Sequence, residues 1–322
     1  MTALDEASAD LRLTVSDRTS LAEDVVSLSL VDPDGGELPP WMPGDHIDVV
    51  VDRDGEEIRR QYSLCGDPND RRRYRIAVLR EPSGGGASLW IHDHLTAGSR
   101  IGVSEPRSTF PFELSPKYVF VAGGIGITPL VPMIAAAVAA GAEWRLEYAG
   151  KRLDRMAFAE DLRAAGGDRV SLHPKDESPL DLDEILHSID ADTAVYACGP
   201  ERLLVALEGA LAGSPGRLRV ERFANETEMF QSADHRFEVE LTLSGKTLTI
   251  EPGCSILSTL ADAGIKLPSS CREGTCGTCE TFVIEGEVDH RDAILTAKEK
   301  AESEVMMICV SRAKGSRLVL EI

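Results

Sequence analysis

The sequence predicts three domains: an antiparallel β-barrel over residues 1–114, an α/β domain with a doubly wound parallel sheet over residues 115–224, and a small β domain over residues 236–322. The polar residues 225–235 are predicted to be the linker before the third domain. Three observations lead to this order. Short β patterns fill the first third, strands alternate with helices in the middle, and four cysteines cluster near the end. A length of 322 residues fits two or three domains.

The first domain shows strand patterns at residues 25–30, 47–51 and 74–79, and turn signals rich in Gly, Pro and Asp separate them. Several short strands at this spacing favour a closed sheet or barrel. Residues 89–95 are compatible with a single short helix.

The middle domain begins with a fully apolar strand at residues 118–122, followed by a Gly-rich turn and an Ala-rich helix at 129–140. Strand and helix patterns then alternate as far as a strand at 193–198 and a helix at 202–211. This alternation is typical of a parallel sheet with helices on both faces.

Composition and charge exclude several classes of function. The net charge is −20, which argues against non-specific binding to nucleic acid because the phosphates would repel the chain. No run of about 18 apolar residues is present, so a membrane span is not expected. The N-terminal residues are acidic and lack a hydrophobic signal core, and we therefore expect a cytoplasmic protein.

The strongest motif is formed by cysteines near the end of the chain. Cys271, Cys276 and Cys279 follow the C-x4-C-x2-C spacing, and Cys309 lies thirty residues further on. This is the spacing of plant-type [2Fe–2S] ferredoxins, in which a tight loop delivers three of the four thiolates. The alternatives are a structural zinc site or unpaired thiols. Zinc sites usually contain C-x2-C twice, and only one such pair occurs here.

Residues 60–64, RQYSL, carry groups that suit a flavin. Tyr62 offers an aromatic face to the isoalloxazine ring, the Ser63 hydroxyl can hydrogen-bond near flavin N5, and Arg60 can pair with phosphate. About 20 residues later, the Gly-rich segment 83–88 precedes the possible helix, and N–H groups at a helix start form an anion site. Alone, these segments also fit a basic strand end and a flexible surface loop.

Two Gly/Pro turns follow predicted parallel strands. Residues 123–129, GGIGITP, open a helix but depart from the full G-x-G-x-x-G pattern because Pro129 takes the place of the third Gly. Residues 196–200, YACGP, end the last predicted strand. Ligands bind at the carboxyl ends of strands in open α/β sheets, so the two turns together predict a nicotinamide cleft. Each turn alone fits an ordinary strand-to-helix connection equally well.

The order of these motifs resembles that of the phthalate dioxygenase reductase family, a branch of the ferredoxin–NADP reductase superfamily. The resemblance covers about residues 11–322. It implies a flavin-binding barrel that carries FMN, an NADH-binding α/β domain, a C-terminal β-grasp domain of the plant-type ferredoxin kind, and a monomer. Family members feed electrons to Rieske-type oxygenases and O-demethylases, and related modules serve cytochromes P450.

The resemblance also assigns residues, position by position. Arg60, Tyr62 and Ser63 match the flavin motif of the family, and Gly86 and Ser88 match its phosphate loop. The nicotinamide-side and flavin-stacking positions that it assigns are Gly124, Gly126, Thr128, Pro129, Cys198, Gly199, Pro200 and Phe223. Among all these residues, Ser63, Cys198 and Phe223 are expected at the reacting ring, although Phe223 by itself would suit core packing better.

Residues 150–155, GKRLDR, leave the choice of nucleotide open. An acidic residue near a ribose favours NADH, whereas a basic residue accommodates the 2′-phosphate of NADPH, and this segment has both. The resemblance favours NADH.

The predicted function is electron transfer from NADH through FMN and the [2Fe–2S] cluster to a terminal oxygenase. Three alternatives remain open on the sequence: the same chain of carriers serving a cytochrome P450, a non-catalytic redox sensor, and a reductase that releases free reduced flavin. The cluster motif argues against the last, and the paired flavin and nucleotide motifs argue against the sensor.

Overall fold

The computed structural model describes residues 10–53, 56–82, 86–178, 180–213, 217–223 and 234–322. The chain divides into two compact units, with the boundary between Glu221 and Arg222. Most of the predicted linker, residues 225–233, lies outside the described residues. No described helix has the length and apolar character needed to cross a bilayer.

The first unit begins with an antiparallel sheet. Its elements are β1 Leu11–Ala22, β2 Val25–Val31, β3 Asp45–Arg53, β4 Glu56–Ser63, β5 Tyr74–Leu79, α1 Ala87–His94, β6 Arg100–Val103 and β7 Arg107–Ser108. The strand order is β4-β3-β6-β1-β2-β5, and β7 pairs with β3. Alternate residues of these strands, such as Leu28 and Leu30, are fully buried in one core, which Ile91 of α1 joins.

A five-stranded sheet follows in the same unit. Its elements are β8 Lys117–Gly123, α2 Leu130–Ala139, β9 Glu143–Gly150, α3 Ala159–Gly166, β10 Val170–Pro174, α4 Leu182–His187, β11 Thr193–Cys198, α5 Glu201–Leu211 and β12 Arg217–Glu221. The order is β10-β9-β8-β11-β12, and every pair is parallel. The predicted strand at 193–198 has these bounds in the structure, whereas β12 was not predicted.

Strand β8 shows why both faces of this sheet are covered. Tyr118 and Phe120 are buried in one core with Met133 of α2, whereas Val119 and Val121 are buried in another core with α4 and α5. Because successive side chains of a strand point to opposite faces, a strand that is apolar at every position needs a helix on each side. β12 is an edge strand with charged residues such as Arg219, so no apolar run marks it in the sequence.

The second unit carries a mixed sheet. Its elements are β13 Phe237–Leu241, β14 Thr247–Ile250, α6 Ile256–Asp262, β15 Glu280–Glu285, β16 Val288–Asp289, α7 Ala297–Glu302, β17 Val305–Met307, β18 Arg312–Ala313 and β19 Arg317–Leu320. The order is β14-β13-β19-β15-β17, with β13 and β19 parallel. Phe237, Val239 and Leu318 pack with Leu260 of α6 in the core of this unit. The loop between α6 and β15 contains three of the predicted cluster cysteines.

Candidate functional site

The flavin motif lies at the end of β4. Tyr62 is partly buried against the core of the first sheet, and this burial raises the pKa of its phenol. Ser63 points to the opposite face and is 5% exposed, and among the described residues its hydroxyl has no hydrogen-bond partner. A buried hydroxyl without a partner costs about 1–3 kcal/mol. Ser63 therefore suits a ligand that brings a polar atom, as the edge of a flavin ring does.

Two polar residues beside Ser63, the buried His46 and the half-buried Gln61, were given no role on the sequence. His46 is the cross-strand partner of Ser63 on β3 and is 3% exposed. Its Nε2 lies 2.7 Å from Nε2 of Gln61, which is on the same face of β4 as Ser63. Burial, with a smaller contribution from Arg107, lowers the pKa of His46 to about 4, so the imidazole is neutral at pH 7. His46 is identified by its cross-strand pairing with Ser63, and no pattern in the sequence predicts this pairing.

Gly86 and Ser88 lie at the start of α1. Gly86 has a φ of +90°, a left-handed conformation that favours glycine. The Ser88 hydroxyl accepts a hydrogen bond from the Glu81 N–H at 3.1 Å and donates one to the Glu81 carbonyl at 3.2 Å, so it holds the preceding segment. The first-turn N–H groups of a helix have no intrahelical acceptor, which suits phosphate. The remaining glycines of this loop, residues 84 and 85, lie outside the described residues.

The two Gly/Pro turns of the α/β domain contact each other through their backbones. A Cβ atom on Gly126 would lie 2.3 Å from the Cys198 carbonyl oxygen, and one on Gly199 would lie 2.9 Å from Cα of Gly123. Thr128 is buried, and its hydroxyl donates to the Ile125 carbonyl at 3.0 Å. The structure therefore brings the turns after β8 and β11 together at the carboxyl edge of the sheet, with Pro129 and Pro200 at the starts of α2 and α5.

Cys198 and Glu221 end the neighbouring strands β11 and β12 in register. The thiol is fully buried, and burial followed by the Glu221 carboxyl raises its pKa, so it stays protonated. Burial raises the pKa of Glu221 to about 8, and among the described residues its Oε2 has no hydrogen-bond partner. Glu221 was given no role on the sequence. A charged residue that ends an edge strand beside a predicted site is the signal that could have identified it.

A cleft of about 650 Å³ opens beyond the carboxyl ends of β9 and β10. Its lining includes Arg152 and the five acidic residues Asp154, Glu160, Asp161, Asp176 and Glu177.

The arginines beside the cleft are ion-paired. Arg155 contacts Glu23 at 2.5 Å and Asp24 at 2.9 Å, and Arg152 contacts Asp154 and, at 3.9 Å, Glu23. The cleft is therefore acidic, and its cations are already neutralised by carboxylates.

The four predicted cluster cysteines are buried and contact one another as two pairs, Cys271 with Cys276 and Cys279 with Cys309. The Cys276 thiol holds the pKa of Cys271 below its usual range, at about 5, and Cys309 likewise lowers that of Cys279. Two pairs suit two irons, each of which takes two thiolates.

Backbone N–H groups in the cluster loop point at two of these sulfurs. The N–H of Glu273 donates to Cys271 Sγ at 3.3 Å, and the N–H of Thr278 donates to Cys276 Sγ at 3.5 Å. Gly274 and Gly277 both have a φ of +73°, which lets the loop turn tightly around the sulfurs. Within the described residues, no three His, Cys, Asp or Glu side chains converge as a single-ion site.

The buried carboxylate of Asp292 stabilises the segment that is hydrogen-bonded to this loop. Asp292 is 1% exposed and accepts hydrogen bonds from the N–H groups of Ile294 and Leu295. The neighbouring Ala293 N–H donates to the Gly274 carbonyl at 2.9 Å, and thereby ties the segment to the cysteine loop.

Phe223, predicted to stack on the flavin, is 41% exposed and belongs to the second unit, and its role stays a prediction.

Known proteins are similar to this chain in sequence and in fold. Residues 240–314 match the family model of the 2Fe-2S iron-sulfur cluster binding domain. The chain is 40% identical to a putative toluene-4-sulfonate monooxygenase system reductase subunit from Comamonas testosteroni, over 98% of this chain and 100% of the relative. The solved structure of phthalate dioxygenase reductase, described as a modular structure for electron transfer from pyridine nucleotides to [2Fe-2S], is 36% identical, with a TM-score of 0.74 and coverage of 97% and 98%.

The chain belongs to the phthalate dioxygenase reductase family. It is also similar to part of a type IV self-sufficient cytochrome P450 monooxygenase, with 41% identity and a TM-score of 0.84 over 97% of this chain. There the chain spans only 41% of the longer protein. The family membership agrees with the resemblance seen in the motifs, and the comparisons with P450 systems agree with the alternative partner.

The contact between the two turns predicts that glycine is required at position 126 more strictly than at position 124. Gly126→Ala places a methyl group against the Cys198 backbone, whereas Gly124→Ala meets no atom within 4 Å and only strains a φ of +55°. We expect G126A to raise the KM for NADH by about tenfold or more, and G124A to raise it by much less. Steady-state kinetics with ferricyanide measures both. Equal effects would contradict the proposed contact.

The pKa of Glu221 predicts a pH effect with a defined sign. Because the folded-state pKa is raised from 4.5 to about 8, the stability that the neutral carboxyl contributes is complete below about pH 4.5 and is lost as pH rises through about 8. We expect the Tm of the wild-type protein to fall more between pH 6 and 9 than that of Glu221→Gln, which stays neutral. Parallel Tm curves for the two proteins would show that Glu221 is already ionised at pH 6.

Proposed function

We propose that this protein is the reductase component of an oxygenase system and passes electrons from NADH through FMN to a [2Fe–2S] cluster and then to a terminal oxygenase. The observation that carries the proposal is the coexistence of three sites in one chain. The buried Ser63 hydroxyl, which has no hydrogen-bond partner among the described residues, fits a flavin. The paired turns at Gly126 and Gly199 fit a dinucleotide, and the two cysteine pairs fit a two-iron cluster. Several relatives are reductases of oxygenase systems by name.

The assignment of parts follows the three sheets. In this proposal residues 1–114 form the flavin-binding barrel, residues 115–224 bind NADH, and residues 236–322 form a β-grasp ferredoxin domain after the linker at 225–235. The bound cofactors supply the redox chemistry, because a flavin exchanges two electrons with a nicotinamide and one at a time with an iron–sulfur cluster. What the chain supplies is binding, orientation and exclusion of water.

Each group of residues has a defined task. Ser63 offers a hydroxyl at the ring edge and Tyr62 an aromatic surface, while Arg60 and the N-terminal turn of α1, with Gly86 and Ser88, hold the phosphate. The predicted stacking residue is Phe223. The protonated Cys198 and Glu221 border the nicotinamide without adding negative charge beside it at pH 7.

The terminal acceptor is a Rieske-type oxygenase or O-demethylase in this proposal. A cytochrome P450 is the second candidate, and the observation that favours it is the match of nearly the whole chain to part of a self-sufficient P450 protein. In both cases the protein works as a soluble monomer that leaves the chemistry of oxygen to its partner.

Removal of one cluster ligand tests this order of carriers. Cys309→Ser breaks the Cys279–Cys309 pair, so we expect loss of the cluster's visible absorbance and EPR signal and a fall of about a hundredfold in NADH-dependent cytochrome c reduction. Ferricyanide accepts electrons from flavin directly, and its reduction should persist. If the wild-type protein bound both cofactors but reduced neither acceptor, the redox-sensor alternative would replace the proposed reductase function.

The acidic cleft predicts a preference for NADH over NADPH and a way to weaken it. Glu23→Gln with Asp24→Asn removes both carboxylates that pair with Arg155, whereas Arg152 keeps its pair with Asp154, and Asn tolerates the left-handed φ of +63° at position 24. The freed Arg155 can attract a 2′-phosphate, so we expect kcat/KM for NADPH to rise about tenfold and that for NADH to change little.

The matched control is Glu160→Gln, because Glu160 lines the same cleft and forms no ion pair with an arginine among the described residues. Glu160→Gln removes one acidic charge without freeing a cation, so it should raise kcat/KM for NADPH less than the Glu23→Gln, Asp24→Asn variant does. A wild-type enzyme that uses both nucleotides equally would contradict the proposed basis of the preference.

A further inference from the structure

Strand β15 presents two large apolar side chains to solvent. Phe282 and Ile284 are each 58% exposed, and they alternate with the buried Thr281 and the half-buried Val283. Both therefore lie on the outer face of the sheet in the second unit. Single exposed apolar residues are ordinary, but an aromatic and a branched aliphatic side chain next to each other on one face form an exposed apolar patch, which is the usual centre of a contact surface.

Three glutamates lie next to this centre. Glu280 is on the same face of β15, and Glu321 is opposite Phe282, because its N–H donates to the Phe282 carbonyl at 3.1 Å. Glu304 is opposite Val283, whose N–H donates to the Glu304 carbonyl at 2.9 Å. All three are exposed, and within the described part of the chain none forms an ion pair. We call these five residues the β15 patch.

The β15 patch lies next to the cluster ligands along the chain. β15 starts directly after Cys279, and Phe282 is three residues further, which is about 10 Å along a strand. β17 pairs with β15 through Glu280 and Met307, and Cys309 follows two residues later. The two strands that carry the patch therefore also lead to one of the two cysteine pairs.

We propose that the β15 patch is the surface on which the terminal oxygenase docks, through a complementary surface with an apolar centre and a basic rim; the identity of this partner rests on the function proposed above. An apolar centre within a charged rim is the usual anatomy of a transient interface, in which rim charges set the association rate. A partner on this surface would lie close to Cys279 and Cys309 and would receive electrons from the cluster that these cysteines hold.

Charge argues against two other occupants of the patch. Residues 1–231 contain 39 acidic and 24 basic residues, a net charge of −15, so the reductase half of the same chain would repel an acidic rim. A second copy of the chain, docked around a two-fold axis, would place the same glutamates opposite one another. A basic partner meets neither repulsion.

The test uses the full-length protein loaded with its cofactors and, as the basic one-electron acceptor, cytochrome c. We expect Phe282→Ser with Ile284→Ser to raise the Kd for cytochrome c at low ionic strength about tenfold by titration calorimetry, and to lower kcat/KM for its reduction by a similar factor. The control is Val205→Ser on α5, which removes an apolar side chain that is 53% exposed in the other unit and should change neither value.

A second set of variants separates the rim from the centre. Glu280→Gln, Glu304→Gln and Glu321→Gln together keep the apolar side chains, so they test the surface even if the serine variant fails to fold. We expect them to slow cytochrome c reduction at low salt and to flatten its dependence on ionic strength. The EPR signal of the cluster and the rate with ferricyanide should stay at wild-type values.

Three results would overturn the proposal. The first is that both sets of variants bind and reduce cytochrome c as well as the wild-type protein does. The second is a dimer in light scattering that the patch variants abolish. The third is that NADH reduces the cluster of the serine variant more slowly than that of the wild-type protein. The second result would assign the patch to a copy of the chain, and the third to its own reductase half. Failure of the proposed function itself would look different, because ferricyanide reduction would then be absent from the wild-type protein.

Discussion

The first unit depends on one shared apolar core between its antiparallel sheet and its parallel sheet. Val25 and Ala77 of the first sheet, with Cys65 just after β4, are buried in the same core as Phe120 and Tyr148 of the second. The connection between the sheets adds Phe110 and Phe112, whose rings lie 5.5 and 5.4 Å from that of Tyr196. Gly44 makes the packing close, since a Cβ there would lie 1.9 Å from the Phe110 carbonyl. Because the two sheets share this core, the end of β4 and the carboxyl edge of the parallel sheet hold fixed positions in one body.

Several polar groups in this body are buried without full hydrogen bonding, which is costly in a protein that has nothing to bind. The Ser63 hydroxyl and one Glu221 oxygen have no partner among the described residues, and both end strands at the proposed cofactor site. Cys198 and His46 stay uncharged because burial shifts their pKa values away from the charged forms. These four side chains are thus polar but mostly uncharged at pH 7, which suits a planar aromatic cofactor and a nicotinamide better than it suits nucleophilic chemistry.

The excess of acidic residues has more than one use in this protein. At the acidic cleft, Glu23, Asp24 and Asp154 neutralise Arg152 and Arg155. On the second unit, the glutamates of the β15 patch stay without ion pairs among the described residues and lie next to an apolar centre. In our proposals, the same sign of charge supports selection of the nucleotide at one surface and selection of the protein partner at another.

The sequence by itself determined the features that depend on local order. The alternation of strands and helices specified a parallel sheet, and the spacing of Cys271, Cys276 and Cys279 specified an iron–sulfur loop, because both follow from short-range periodicity and turn chemistry. Motif order was sufficient to indicate the family. The edge strand β12 was missed because an edge needs no apolar run, and Glu221 was missed along with it. Only the tertiary structure decided which distant groups meet: Ser63 with His46, Gly126 with Cys198, and Glu23 with Arg155. These contacts join residues 17 to 132 positions apart, and strand pairing and packing rather than local preference bring them together.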